Sequence, residues 1–266
     1  MNHRTIIITI ILMISFMAVI FRLVDIMILN HDYYLSKARG QQIKSEDIPV
    51  KRGLILDRKG RELAINIDKD SIYSDGAEVK SPDETARRIA SIINQKPEVI
   101  KTKIASNKRF VWIERKIDHE SSQKIRELRL KGIGLVTEPK RFYPKGSLAS
   151  HIIGYVDIDN RGLEGAEERF ERFLTATPAK KVVMRDAKGN ILSEGYHREI
   201  KGNNVILTID EGLQYIVEKN LEAVMTERRA ASATAIMMDP YTGEILALAS
   251  LPNYDLNEPG SSTPAT

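Results

Sequence analysis

Cysteine is missing from all 266 residues, which excludes disulfides, thiol catalysis and cysteine-based metal sites. Histidine is scarce. His3, His31, His119, His151 and His197 are scattered without H-E-x-x-H or comparable spacing, so no metal is expected. A phosphate-cradling loop is missing too: Lys201-Gly-Asn-Asn204 lacks the G-x-G-x-x-G spacing, and no cofactor is expected. Neither sign of charge dominates. The 40 Lys and Arg residues against 36 Asp and Glu leave +4, and no basic run carries interleaved aromatics, so nucleic acid is not an expected partner. Hydrophobic content of 42% with 29% charged residues fits a folded body rather than disorder.

What is present begins with Thr5–Phe21, a run of Ile, Leu, Met, Val and Phe with no charge, Pro or Gly. Apolar character resumes after Arg22 and lasts to Leu29, broken by Asp25. A helix needs about 20 apolar residues to cross the hydrocarbon core, and Thr5–Leu29 meets that. A cleaved signal peptide would have a shorter apolar core and a small-residue cleavage site. The chain instead continues NHDYYLSKARG, so an uncleaved anchor is expected. Arg22 and Asp25 lie at i, i+3 on one helix face and can pair. Their place near one end suits snorkelling to the interface. As charges in a span they are also the candidate contacts with a membrane partner. Lys37, Arg39 and Lys44 follow the span and only His3 and Arg4 precede it, so the positive-inside rule alone would place the carboxyl side in the cytoplasm.

Residues 30–49 are polar and read as a membrane-proximal helix or linker. Leu54–Leu56 and Leu63–Ile65 flank Asp57-Arg-Lys-Gly60, a type I turn pattern that predicts a hairpin with Gly60 at φ > 0. Ser81-Pro-Asp-Glu84 has the form of a capping box opening a helix striped by Ala86, Ile89, Ala90 and Ile93. A short helix is expected over Pro97–Ile104, a strand over Phe110–Ile113, a helix from the Asp118 cap to Gly132, and a strand over Ile133–Val136. Leu163, Glu167, Phe170 and Leu174 fall at helical spacing. Lys181–Leu192 is expected to form a hairpin turning on Asp186-x-x-Gly189. Asn204–Thr208 should be a strand and Glu211–Thr226 a helix capped by Asp210. Thr234–Met238 and Glu244–Ser250 should form a last hairpin, and residues 251–266 a loop. These elements describe a membrane-anchored α+β protein and show no nucleophile with its base.

The order of the motifs goes further. Arg52-Gly53-x-Ile-x-Asp57-Arg58-x-Gly60-x-x-Leu-Ala64, then Arg141-x-Tyr143-Pro144, His151-x-x-Gly154-Tyr155 and Gly162-Leu-Glu164-Gly165 resemble the amino-terminal half of class B penicillin-binding proteins. Leu207-Thr-Ile-Asp210 and Asp239-x-x-Thr-Gly-Glu-Ile-Leu-Ala247 look like the start of their transpeptidase domain. The spacing from Gly154 to Gly165 looks most like the division-specific type (FtsI, penicillin-binding protein 3), with the elongation-specific penicillin-binding protein 2 type as rival.

The resemblance implies a single-pass inner-membrane protein with its body in the periplasm. It implies residues 1–4 as a cytoplasmic tail, 5–29 as the anchor, 30–200 as a pedestal (dimerisation) domain and 201–266 as the start of a transpeptidase domain. In this family a serine attacks D-Ala-D-Ala of a peptidoglycan precursor, D-Ala leaves, and the acyl group passes to a neighbouring stem peptide. Partners implied are the membrane and the membrane proteins of peptidoglycan synthesis and cell division, a glycosyltransferase among them. The motif residues themselves are implied to be architectural. An ion pair among Arg52, Asp57 and Arg58 would tie the first hairpin down, Tyr143-Pro144 would be a packed corner, and Glu164 a first-turn helix residue favoured by the dipole. The family signature is S-x-x-K with a later K-T-G. Neither is found in its expected context: Ser250 is followed by Asn253, and Lys-Thr-Gly does not occur. The chain is therefore expected to be inactive alone, a truncated portion of a transpeptidase, with a non-enzymatic divisome scaffold as the alternative class.

Overall fold

The computed structural model describes residues 3–31, 33–34, 43–47, 50–106, 109–176, 180–185, 191–194 and 201–260. The described chain falls into two compact units, Pro49–Pro178 with Glu199–Thr266, and Met1–Ile48 with Ala179–Arg198.

In the smaller unit, apolar residues without a helix breaker form one long helix, His3–Val24, continued by a π-helical turn over Asp25–Leu29. Ile6–Leu29 is long and apolar enough to cross a membrane. The unit also holds a three-stranded antiparallel sheet. Strand β1 (Ile43–Asp47) pairs with β6 (Lys180–Arg185), which pairs with β7 (Ile191–Glu194). The expectation of helix or linker over 30–49 is therefore corrected at Ile43–Asp47, where the partner that makes a strand lies over 130 residues away in sequence. The Asp186–Gly189 turn lies outside the described residues.

The larger unit is built on β3 (Glu62–Ser74), a strand of 13 residues that runs well past the expected Ile65. Its start pairs with β2 (Ile55–Leu56) around a tight turn. Its remainder pairs with β5 (Ile133–Phe142) on one edge and β4 (Val111–Ile117) on the other. The segment Asp68-Lys-Asp-Ser71 has no strand-like composition of its own. The ladder to β5 along the whole segment, joined by β4 from Asp70, makes it one. Gly60 takes φ 79 at the end of the β2–β3 turn, as the Asp-x-x-Gly pattern requires.

Three helices, Pro82–Ile93, Pro97–Ile104 and His119–Leu128, cover one face of this sheet. Ile72, Ile89, Ile100, Ile104, Ile113 and Ile125 meet there in one apolar core. Asp118 caps the third helix by accepting the backbone N–H of Ser121 at 2.9 Å. That helix ends at Leu128, not Gly132, because Arg129 turns into the left-handed region at φ 44. Ser81 makes no side-chain cap, so the expected capping box is not formed; Glu84 pairs with Arg88 instead.

A second core joins Ile55, Leu63, Tyr143, Ile153, Ala166, Leu174 and Leu256. Helical spacing from Leu163 to Leu174 yields two short helices, Gly165–Arg169 and Glu171–Leu174, broken at Phe170; Leu163 stays outside and exposed. Strand β8 (Val205–Ile206) adds to β2 in parallel. The Glu211–Arg228 helix then packs on an antiparallel pair, β9 (Ala233–Met238) and β10 (Ile245–Leu251). That pair is covered on one face only. Ala247, Ala249 and Leu251 are buried, whereas Ile236 and Met238 remain 63% and 57% exposed.

Candidate functional site

Two of the motif arginines, Arg52 and Arg141, meet in a buried ion cluster. Glu167, on the Gly165–Arg169 helix, is fully buried. Its two carboxylate oxygens accept from different arginines, Nε of Arg52 at 2.6 Å and Nε of Arg141 at 2.6 Å. Arg52 also donates to the Glu167 carbonyl at 2.7 Å and to Thr175 Oγ1 at 3.0 Å, and pairs with Glu171 at 2.8 Å. Arg141 donates a further bond to the Gly53 carbonyl at 2.8 Å. Its Nη2 is buried without a hydrogen-bond partner. A carboxylate shared between two guanidinium groups satisfies most of what its burial exposes to cost, because every ion in the cluster has an opposite charge in contact. Arg52 lies before β2, Arg141 at the end of β5 and Glu167 on a helix, so the cluster ties three elements of distant sequence together. Tyr143, two residues after Arg141, packs against it, with its hydroxyl 3.5 Å from Glu167. Burial first, and then the Glu167 charge, push the Tyr143 phenol well above its ordinary pKa.

The expected ion pair among Arg52, Asp57 and Arg58 is not formed. Asp57 is buried and pairs with Arg61 at 2.6 Å, while accepting the backbone N–H groups of Lys59 and Arg61 at 2.8 Å each. Arg58 reaches Glu244 at 3.2 Å instead. Arg61 also donates to Asp210 at 2.9 Å, and Lys59 pairs with Asp210 at 2.7 Å. Asp210 in turn accepts the N–H of Gly212 at 2.9 Å as the helix cap. The first hairpin is thus bonded to the start of the Glu211–Arg228 helix. The Lys59 ammonium, with the Arg61 guanidinium and helix N–H groups, holds the Asp210 carboxyl far below its ordinary range against a smaller opposing effect of burial.

The glycines stand where backbones cross. A Cβ on Gly53 would lie 1.9 Å from the carbonyl oxygen of Asn203, and one on Gly154 would lie 1.8 Å from that of Glu164. Gly165, at φ 61, faces the same crossing. A Cβ on Gly162 would come within 2.2 Å of the Glu167 carbonyl oxygen. Glu164 is the residue before the helix rather than in its first turn, and its carboxylate accepts from Tyr254 Oη at 2.8 Å.

That bond belongs to a contact the sequence did not disclose. Pro252–Asn257 reads only as loop, yet it docks on all three later motifs. Asn257 exchanges two hydrogen bonds with the Tyr143 backbone, each 3.0 Å, as a neighbouring strand would. Leu256 enters the second core, and His151 lies 3.1 Å from the Pro252 carbonyl oxygen. Pro144 follows Tyr143 at this corner. In the apolar helix Arg22 and Asp25 pair at 2.7 Å, and Asn30 donates to Asp25 at 2.6 Å, so their mutual neutralisation is local.

One correction concerns the catalytic signature. The string Ser121-Ser-Gln-Lys124 satisfies S-x-x-K, far upstream of the context in which the family signature is expected. In the structure the Ser121 hydroxyl donates to Asp118 at 2.7 Å within the helix cap, and Lys124 pairs with Glu120 at 2.6 Å on the surface. Serine and lysine each serve a different carboxylate, so this pair is a cap and a surface ion pair, not a nucleophile and its base.

The family described as the penicillin-binding protein dimerisation domain matches residues 47–207. Over 244 residues the chain is 29% identical to the peptidoglycan D,D-transpeptidase FtsI of Escherichia coli, covering 89% of this chain and 42% of that protein. It is 32% identical over 237 residues to the probable peptidoglycan D,D-transpeptidase PenA of Neisseria meningitidis, covering 86% and 41%. With PbpC of Pseudomonas aeruginosa, a probable transpeptidase of the same kind, identity is 30% and coverage 99% and 47%. The chain thus spans less than half the length of the curated relatives it matches. Among solved structures, the penicillin-binding protein PBP2 of Helicobacter pylori, solved in complex with MreC, shares the fold with a TM-score of 0.66 at 24% identity, over 81% of this chain and 44% of that one. The architecture of the buried Arg52–Glu167–Arg141 cluster lies inside the matched region, and the chain belongs to the penicillin-binding proteins through their dimerisation domain.

Proposed function

We propose that this chain is the membrane-anchored pedestal portion of a peptidoglycan D,D-transpeptidase acting in septal cell-wall synthesis and cell division. The observation that carries this reading is the match to transpeptidases more than twice the length of the region they share with it. In it, residues 1–4 are cytoplasmic, 5–29 span the inner membrane, 30–200 form the pedestal and 201–266 begin the catalytic domain, all beyond the span lying in the periplasm. The pedestal motifs act by architecture. Arg52, Arg141 and Glu167 lock the pedestal, and the Asp57–Arg61–Asp210 bonds and the docked Pro252–Asn257 loop fix the start of the catalytic domain to it. Arg22 and Asp25 are the proposed contacts with membrane partners of the peptidoglycan and division machinery, a glycosyltransferase among them. The peptidoglycan precursor is the substrate of the longer protein, whose nucleophilic serine lies outside the residues described.

The test is labelling with fluorescent penicillin. This chain should give no penicillin-competable band on a denaturing gel, whereas a longer protein carrying S-x-x-K and K-T-G after the same region should. A competable adduct on this chain, mapped to any of its serines, would refute the assignment of roles. A topology arm accompanies it: alkaline phosphatase fused after Thr266 should be active, and an inactive fusion beside an active cytoplasmic reporter would reverse the orientation.

A further inference from the structure

Strand β4 carries a bulge whose purpose the pedestal role leaves unexplained. Asp70 pairs with Ile117 and Ile72 with Glu114, so both Arg115 and Lys116 stand opposite the single residue Ser71. Such a bulge re-aims side chains that would otherwise alternate across the sheet. Lys116 takes φ 54, uncommon for a residue with a side chain. The buried Ser71 hydroxyl receives its backbone N–H at 2.8 Å and itself donates to Glu138. The result is two successive cations on the sheet face away from the helices, since Ile113 and Ile117 take the helix side. Strained conformations of this kind mark sites where the surrounding structure holds a side chain in place.

The two cations and Lys140 of β5 all line a cleft of about 280 Å³. The same cleft is lined by the apolar Val156, Leu256 and Pro259, and also by Asp157, Asn160 and Asn257. Arg115 is neutralised by Glu138 and by Asp159 at 2.7 Å. Among the described residues Lys116 Nζ donates to neutral oxygens, the Ile158 carbonyl at 2.5 Å and Asn160 Oδ1 at 3.0 Å. Lys140 forms no ion pair among the described residues. Burial pulls the Lys116 ammonium below its ordinary pKa, with Arg115 and Lys140 adding to that pull and Glu138 and Asp159 opposing it. A negative charge set between Lys116 and Lys140 would relieve both the desolvation and the repulsion.

We infer that this cleft is a binding site for the terminal carboxylate of a short peptide ending in a small apolar residue. The carboxylate sits between Lys116 and Lys140, and the last side chain lies against Val156 and Leu256. Cations and apolar side chains lining one cleft select an amphiphilic anion, and the volume admits one or two small residues rather than a glycan. The same chemistry has two sources, a cell-wall stem peptide ending in D-alanine, which rests on the proposed function, and the carboxyl terminus of a polypeptide.

The experiment is calorimetric titration of the detergent-solubilised chain, paired with fluorescence of its only tryptophan. Trp112 lies under Arg115, 5.3 Å from ring centre to guanidinium carbon, and reports on the cleft. The probes are N-acetyl-D-alanyl-D-alanine, its L,L counterpart, the carboxamide of each, and acetate. Saturable binding of a dipeptide acid is expected, at least about tenfold weaker for its carboxamide and for the Lys140→Gln chain. A tighter D,D arm assigns the stem peptide, and a tighter L,L arm assigns a polypeptide terminus. The absence of saturable binding, equal binding of acid and carboxamide, binding no tighter than acetate, or an unchanged affinity in Lys140→Gln would each overturn the inference. No serine nucleophile enters this readout, so its failure and a failure of penicillin labelling are separate results.

Discussion

Replacing Glu167 by glutamine would remove one negative charge from a fully buried side chain of the pedestal and change its shape hardly at all. The wild-type carboxylate accepts from Arg52 with one oxygen and from Arg141 with the other, at 2.6 Å each. A glutamine retains one acceptor. Its amide nitrogen must then face a guanidinium N–H, donor against donor. Arg52 keeps Glu171 as a counter-ion, but Arg141 has no other carboxylate in contact among the described residues. Leaving one member of a buried ion cluster uncompensated costs about 3–5 kcal/mol. Against a total stability of about 5–15 kcal/mol, that is a large share. For a body of this size each kcal/mol moves the melting temperature by about 2–4 °C, so Glu167→Gln should lower it by about 6–20 °C. The measurement is thermal and urea unfolding of the detergent-solubilised chain followed by circular dichroism. The exposed Glu84–Arg88 pair is the control: Glu84→Gln should cost under about 1 kcal/mol. Replacing Arg52, Arg141 and Glu167 together by Met, Met and Leu should recover much of the loss, since apolar groups of similar volume leave no stranded charge. A Glu167→Gln chain within about 1 kcal/mol of the parent would refute the view that this cluster holds the pedestal together.

Acid should weaken the joint between the first hairpin and the Glu211–Arg228 helix. The Asp210 carboxyl is held below its ordinary value of 3.8, so its contribution is fully present above that value and lost as pH falls beneath it. Melting temperature should therefore fall mainly between about pH 4 and pH 2, and Asp210→Asn should flatten that slope; an unaltered slope would remove Asp210 from the joint. Gly60 and Gly154 separate two kinds of glycine requirement. Gly60→Val meets open space but must hold φ 79, costing about 1–3 kcal/mol, whereas Gly154→Ala also drives a Cβ to 1.8 Å from a carbonyl oxygen and should abolish folding. Equal melting temperatures for the two variants would contradict this ranking. Hydrogen exchange should show weak protection across β9, exposed at Ile236 and Met238, and strong protection across β3, which is paired on both edges. Equal protection of β9 and β3 in a monomer would mean that the uncovered face is closed in some other way.

The sequence by itself determined what local chemistry can determine. The run from Ile6 to Leu29 needs no tertiary context to be a long apolar helix, because every backbone group bonds within the segment. The Asp57–Gly60 turn, the Asp118 and Asp210 caps and the Arg22–Asp25 pair each involve residues within a few positions of one another, so their pattern was legible. The ordered motifs likewise pointed to the penicillin-binding proteins before any contact was known. What only the tertiary structure decided is where those motifs meet. Glu167 sits among residues of helical spacing and carries no mark of its role. Its partners Arg52 and Arg141 lie 115 and 26 residues away. β3 runs through Asp68-Lys-Asp because β5 pairs with it there and β4 joins from Asp70 onward, and β1 exists because β6 returns to it from far along the chain. The Pro252–Asn257 loop has no periodicity to betray burial, since Leu256 is its one core residue and Asn257 acts through backbone groups of Tyr143. Ser121-x-x-Lys124 shows the converse: a motif complete in sequence whose two side chains are turned to different carboxylates by the helix cap that contains them. Spacing along the chain fixes which groups can bond within a few residues. Which distant charge is buried against which is fixed only when the sheet and its helices close around them.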